Sequence, residues 1–206
     1  MPPVIRRFIS LGILLAILVG GDVAARGYVS SAVSAKAQEE APPGTTVTAS
    51  VGGFPFLPPL ALSGKVSDVA VHIENLPAKV LVFASIDIDL KGVHLDRQKM
   101  IKNHKAHIDK IDKGTVKAVV TAAALSAALR GVPVVMAPGE LRVAGLVVTP
   151  QSVGGKLVVG ALRVPVTDYV PCVSDVQVVL GEMDLSCSIT NIPPALLDAA
   201  QRAAGN

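Results

Sequence analysis

"KVLVFASIDIDLKG", residues 79–92, alternates almost without fault. Val80, Val82, Ala84, Ile86, Ile88 and Leu90 share one parity, and Ser85, Asp87, Asp89 and Lys91 take the other. Successive side chains of a strand point to opposite faces, so this pattern predicts a strand with one apolar face and one polar face. It is long for a strand, where about 5–6 residues is usual. The preceding "KVSDVAVHIE", residues 65–74, repeats the pattern, with Val69, Val71 and Ile73 against Ala70, His72 and Glu74. Near the other end "EMDLSCSIT", residues 182–190, opposes Met183, Leu185, Cys187 and Ile189 to Asp184, Ser186, Ser188 and Thr190. Weaker strand signals lie at 115–121, 140–149, 156–164 and 175–180.

Helical signals are few. "TAAALSAALRG" offers Thr121 as an N-terminal cap, Leu125 and Leu129 one turn apart, and Gly131 as a stop. "PPALLDAAQRAAG", residues 193–205, opens on proline, which the first turn of a helix tolerates, and closes on glycine. The expected fold class is α+β: a sheet of long antiparallel strands, one helix after the fourth strand and another at the end. Two short helices cover little of the apolar face. The remainder must close on itself, pack on the N-terminal helix, or hold something else.

Composition supports strands. Half the residues are hydrophobic, mostly Val, Leu, Ala and Ile, while aromatics make up only 3%. Charged residues are 17% and the formal net charge is +3. Setting aside residues 1–25, with Arg6, Arg7 and Asp22, leaves 17 basic against 15 acidic residues. That balance, with so few stacking aromatics, argues against a nucleic-acid partner.

The chain starts like an exported protein. Arg6 and Arg7 precede the apolar run Phe8–Val19, and small residues follow. Val23-Ala24-Ala25 would suit cleavage. Read instead as an uncleaved anchor, the 18 residues Phe8–Ala25 span roughly 27 Å as a helix, barely a bilayer. No strong helix break follows, and "YVSSAVSAKAQ" can continue the helix outward, which favours the anchor. Either way the arginine pair stays inside and the rest of the chain lies on the extracytoplasmic, periplasmic side. The expected division is a signal or anchor at 1–25, a helical extension and linker at 26–46, and a domain at 47–206. Cys172 and Cys187, an even count in an oxidising compartment, read as one disulfide.

No catalytic constellation stands out. "HKAH" puts His104 and His107 three apart in a Lys-rich stretch that reads as a solvated loop rather than a metal site. Serines have no Gly-x-Ser-x-Gly setting, and Gly52-Gly53 has no following Lys-Ser/Thr. Asp87 and Asp89 share a solvated strand face. No cofactor motif is present. One basic cluster, Arg97, Lys99, Lys102, Lys105, Lys110, Lys113 and Lys117, reads as a solvated turn or as a landing surface for anionic head groups.

"SVGGFPFLPPL", residues 50–60, crowds two of the four phenylalanines beside a glycine pair and three prolines. Gly52 and Gly53 allow a sharp turn, and the prolines exclude an interior strand. Phe54 and Phe56 then sit on a stiff loop, either plugging the end of the sheet or lining an entrance. This stretch, the "SGKVSDVAVHIENL" strand after it, the "ALSAAL" helix and "YVPCVSDVQVVLGEMDLSCSITNIPPALL" together resemble the LmeA-like phospholipid-binding family of actinobacteria, from about Val47 onward.

The resemblance implies an exported, membrane-attached, non-catalytic protein with a tubular lipid-binding (BPI-like) fold, in which a long curved sheet wraps a helix and leaves an apolar groove. It implies a phospholipid, anionic if the basic cluster serves it, and a role in lipomannan and lipoarabinomannan maturation, with an envelope mannosyltransferase as a possible partner. On this reading the groove and its mouth involve Phe54, Phe56, Leu57, Leu60, Val82, Ile86, Ile88, Leu90, Leu125 and Leu129. Arg97, Lys99, Lys102 and Lys105 would meet head groups. The disulfide would pin the last hairpin, turning at Gly181-Glu182, with Val176, Val178 and Leu180 set against Met183, Leu185 and Ile189. The competing reading is a scaffold for a membrane glycosyltransferase whose groove is only its core.

Overall fold

The computed structural model describes residues 3–78, 80–96, 98, 108–154, 156–166 and 175–190. It is α+β. Helix α1 spans Pro3–Glu40, followed by β1 (Thr46–Gly52), α2 (Leu57–Ser63), β2 (Lys65–Pro77), β3 (Val82–Leu95), β4 (Ile108–Thr121) and α3 (Ala122–Ala128). Short strands β5 (Val134–Ala137), β6 (Glu140–Val143), β7 (Leu146–Val148), β8 (Gln151–Val153), β9 (Lys156–Val159) and β10 (Leu162–Pro165) come next. The hairpin β11 (Asp175–Val179) and β12 (Glu182–Ile189) ends the described chain.

The main sheet has the order β1-β2-β3-β4-β12-β11, antiparallel throughout. Strands β5–β7 and β8–β10 form two further three-stranded sheets. Strands β2, β3 and β4 have 13, 14 and 14 residues, so each runs roughly 45 Å and serves two separate cores.

The simple alternation of residues 79–92 does not survive along β3. Leu81 and Phe83 are buried while Val80 and Val82 are exposed, and the parity then changes so that Ile86 is buried. It changes again between Leu90 and Val93. Strand β2 changes in step: Val66 then Val69, Ile73 then Leu76, each three apart instead of two. The β2–β3 ladder is interrupted at the matching places, Ser67 opposite Gly92 and Asn75 opposite Ala84. Gly92 (φ 63°) and Asn75 (φ 55°) are left-handed there. Glycine takes that conformation freely, and asparagine more readily than most residues. At each break the apolar side chains on either side, three apart, still face the same way, and one strand of the pair carries the left-handed residue. Strand β4 makes the lower change as well, from Ile111 to Gly114, with Asp112 opposite Gly92.

Two apolar clusters result. The larger joins Phe83, Ile86, Val116 and Val120 of the long strands to Leu125 of α3, to Met136, Leu141, Leu157 and Val159 of the small sheets, and to Met183 and Leu185. Thr121 caps α3, its hydroxyl accepting from the Ala124 N–H at 3.2 Å, as the sequence predicts. The hairpin turns at Leu180-Gly181, pairing Val176 with Leu185 and Val178 with Met183. Leu180 is therefore a turn residue, 79% exposed, and not part of the apolar pairing. Cys187 is buried and disulfide-bonded, while Cys172 lies outside the described residues, as do the expected terminal helix and the HKAH histidines.

The smaller cluster holds Val51, Phe56, Val66, Val93 and Ile111, with Ala25 and Val29 of α1 and Leu60 of α2 packed on it. Residues 22–40 are thus bound to the sheet, where the sequence suggested an extension ahead of a boundary near Val47. Ser30, Ser34 and Gln38, four apart on α1, follow the backbone of the edge strand β1. The Val51 N–H donates to Ser30 Oγ at 3.0 Å, the Ala49 N–H to Ser34 Oγ at 2.7 Å, and the Val47 N–H to Gln38 Oε1 at 2.7 Å. Ser34 Oγ donates back to the Ala49 carbonyl and Gln38 Nε2 to that of Thr45. Four helical residues advance about 6 Å and two strand residues about 6.6 Å, so the stripe keeps step with the strand. It satisfies an edge that would otherwise recruit another strand.

Candidate lipid-contacting face

Between the two clusters the apolar side of the sheet is only partly covered. Val69 and Leu90 border the smaller cluster, and Ile73 and Ile88 border the larger. Val71 is half-buried and belongs to neither. The register sets Val71 between Ala49 on β1 and Ile88 on β3, and Leu90 between Val69 on β2 and Gly114 on β4. Ala49 and Gly114, which flank these rows, are themselves buried, so the part of the seam left partly open is the row of Val69, Val71, Ile73, Ile88 and Leu90. Among these side chains none is polar. From Val69 to Ile73 the seam runs roughly 13 Å along the strands.

The residues expected to form one groove are not gathered into one. Phe56 (3% exposed), Ile86 and Leu125 are core residues and offer a lipid no surface. Leu129 packs on the larger cluster and Leu60 on the smaller. Phe54 and Val82 are exposed at opposite ends of β2: Phe54 follows Gly52, which pairs with Asp68, while Val82 pairs with Pro77. Leu57 is exposed on α2. Only Ile88 and Leu90 fall in the seam. Val69, Val71 and Ile73 join them there, and the signal that marks all five is alternation confined between the two parity changes. Arg97, Lys99, Lys102 and Lys105 lie outside the described residues.

The fate of the 50–60 stretch is divided. Phe56 plugs the end of the sheet and Phe54 stands outside at 67% exposure. Pro58 and Pro59 begin a helix where the sequence suggested a loop, because the first turn needs no N–H from them. The N–H groups of Phe56 and Leu57 donate to the carboxylate of Asp22, at 2.8 and 2.6 Å to Oδ1, and Asp22 is 4% exposed. Gly64 ends α2 in the left-handed conformation.

The opposite, polar side carries an ion network. His72 Nδ1 meets Asp87 Oδ1 at 2.5 Å across the strands and its Nε2 lies 3.3 Å from Glu74. Hydrogen bonding to Asp87, then to Glu74, raises the His72 pKa above the ordinary 6.5. Asp112, reached by Lys110 at 2.9 Å, His94 at 3.1 Å and Lys65 at 3.5 Å, is held well below the usual carboxylate range, chiefly by Lys110 and then His94. Asp184 at 2.9 Å raises the pKa of Lys117. These pairs are cross-strand or local, and they pin the long strands rather than face the seam. Among the described residues no group of three or more His, Cys, Asp or Glu is arranged to hold a metal ion.

A family model described as LmeA-like phospholipid-binding matches residues 20–204, nearly the whole chain. The chain belongs to the LmeA-like phospholipid-binding family. The match begins two residues before Asp22, so the LmeA-like unit takes in the part of α1 that clasps β1 and α2. No curated protein and no solved structure matches the chain. Among the described residues no helix is long and apolar enough to cross a membrane, so the anchor expected at 8–25 gains no support from the structure.

Proposed function

We propose that this LmeA-like domain holds a phospholipid with an acyl chain laid along the seam of Val69, Val71, Ile73, Ile88 and Leu90. The observation that carries this reading is a half-buried, wholly apolar strip between two closed cores in a member of a phospholipid-binding family. Burying hydrocarbon is worth about 0.8 kcal/mol per methylene, so six enclosed methylenes would contribute about 5 kcal/mol. The test is uptake of labelled phospholipid from vesicles by delipidated protein, followed by native mass spectrometry. A one-to-one complex is expected, and no uptake would favour the scaffold reading, in which the apolar side is only core.

Head groups are assigned to the sheet end where β3 stops and β4 starts. Leu95 and Ile108 both pack on the smaller cluster, and the chain joining them carries Arg97, Lys99, Lys102 and Lys105. This supports a preference for anionic lipids that weakens with salt, since exposed charges are screened over about 8 Å at physiological ionic strength. Equal uptake of neutral and anionic lipid at low salt would remove these cations from the mechanism.

The basic and apolar start of the chain supports export and a site of action at the outer surface of the membrane. Support of lipomannan and lipoarabinomannan maturation, beside an envelope mannosyltransferase, is the cellular role that goes with this reading. Family membership is its support. Unchanged lipomannan in a strain lacking the protein would end that part of it.

A further inference from the structure

Helix α2 is largely apolar, and one side of it packs on the sheet. Its sequence, LPPLALS, has no charged residue. Leu60 packs inward on the smaller cluster, behind Phe56. Leu57, Pro58, Ala61 and Leu62 point outward and are exposed, Leu62 to 76%, with Phe54 exposed immediately before the helix. Three large apolar side chains, Phe54, Leu57 and Leu62, are thus exposed on one short excursion.

What lies beside this excursion identifies its occupant. The carboxylate of Asp22 accepts from the N–H groups that open α2, so α2 sits at the level of residue 22 of α1. The apolar run Phe8–Val19 of the sequence ends three residues earlier on the same helix, about 4.5 Å along its axis. Val23, one residue on, is also exposed. Arg26 comes one turn after Asp22 on α1 and supplies a cation near the level of α2, whereas Lys65, just after α2, is drawn to Asp112 at 3.5 Å. Apolar side chains with a cation nearby suit the boundary between head groups and acyl chains.

We infer that α2 and Phe54 form an interfacial foot, which dips into the outer leaflet where α1 leaves it. The foot rests on the membrane-attached reading above and adds to it a defined contact surface. It also gives the covered and exposed phenylalanines separate tasks: Phe56 fastens α2 to the sheet, and Phe54 enters the lipid.

The chain has no tryptophan, so single tryptophans report cleanly. The full chain carrying Phe54→Trp, Leu62→Trp or, at the far end of the sheet, Leu180→Trp would be reconstituted into vesicles of phosphatidylcholine and phosphatidylglycerol. Flotation reports attachment. Emission and quenching by lipids brominated along the acyl chain report depth. The expected result is a blue shift and strong quenching at positions 54 and 62, with Leu180→Trp remaining water-like and open to iodide. Flotation with positions 54 and 62 as open to iodide as position 180 would overturn the foot and leave membrane attachment standing. A chain that fails to float would overturn both. Unchanged circular dichroism and melting of each variant before reconstitution confirms that a negative result comes from a folded protein.

Discussion

Replacing Gly92 with alanine tests the feature that lets one strand serve two cores. An added Cβ at Gly92 would lie 2.2 Å from Asp112 Oδ2, 2.8 Å from Cγ and 3.0 Å from Cβ. The backbone there has φ 63°, which costs an L-residue about 1–2 kcal/mol. Forcing a methyl group into an occupied space adds about 1–3 kcal/mol. Together these predict a loss of roughly 2–5 kcal/mol, a fall in Tm of roughly 4–20 °C for a chain of this size. Gly145→Ala is the control: φ is 81° but nothing lies within 4 Å of the added Cβ, so only the backbone cost remains. Asp112→Ala, which removes the two closest contacts, should make Gly92→Ala less costly than in the parent chain. Thermal and urea unfolding of the three single alanine variants and the Gly92/Asp112 double variant would settle it. If Gly92→Ala costs no more than Gly145→Ala, and no coupling to Asp112 appears, the proposed close approach at the parity change is wrong.

Asp22→Ala leaves the buried N–H of Phe56 without its acceptor, at a cost of about 1–3 kcal/mol, and frees the part-buried N–H of Leu57 at less cost; hydrogen exchange should accelerate at these two amides before it does in β4. His72, bonded to Asp87 and Glu74, has a folded pKa above its unfolded value of 6.5. The stability it adds is therefore fully present below 6.5 and is lost as pH rises through the folded value. His72→Gln should narrow its deficit against the parent chain as the solution turns alkaline, and an NMR titration placing His72 at or below 6.5 would contradict the pairing. Substituting alanine for both Cys172 and Cys187 should lower Tm, since closing a loop of about 15 residues is worth about 3 kcal/mol, while lipid selectivity is retained; selectivity lost at unchanged stability would put the pair in the site.

Most of the strand content is legible in the alternation of Val69–Ile73, Ile86–Leu90 and Met183–Ile189. The capped helix after β4 is legible in Thr121, Leu125 and Gly131. The parity changes are also written in the sequence, as apolar residues three apart at Val66/Val69, Ile73/Leu76, Phe83/Ile86 and Leu90/Val93. They become visible only when two strands are compared in register, because a single strand with a three-residue step reads as a fault in the pattern. Reading Val80 and Val82 as core follows from extending one parity past Ala84. Helix α2 was concealed by its prolines, which break an interior turn but not a first one. The role of Ser30, Ser34 and Gln38 was concealed because small polar residues on a helix look solvated, and their partner is the backbone of an edge strand that carries no sequence signal for it. The seam was half legible: Ile88 and Leu90 were identifiable as candidates. Ile86 was not separable from them, since burial in the larger cluster depends on α3 and the small sheets folding over it.

The central claim concerns where a lipid lies, and photocrosslinking reads that directly. The full chain would be loaded with a phospholipid carrying a photoreactive group midway along one acyl chain, irradiated, digested and mapped by mass spectrometry. The account predicts labels on the peptides containing Val69–Ile73 and Ile88–Leu90, lost when Val71→Asp is introduced into a chain that still folds. Labels confined to the exposed residues of α2, or spread without preference over the surface, would contradict a lipid held in the seam.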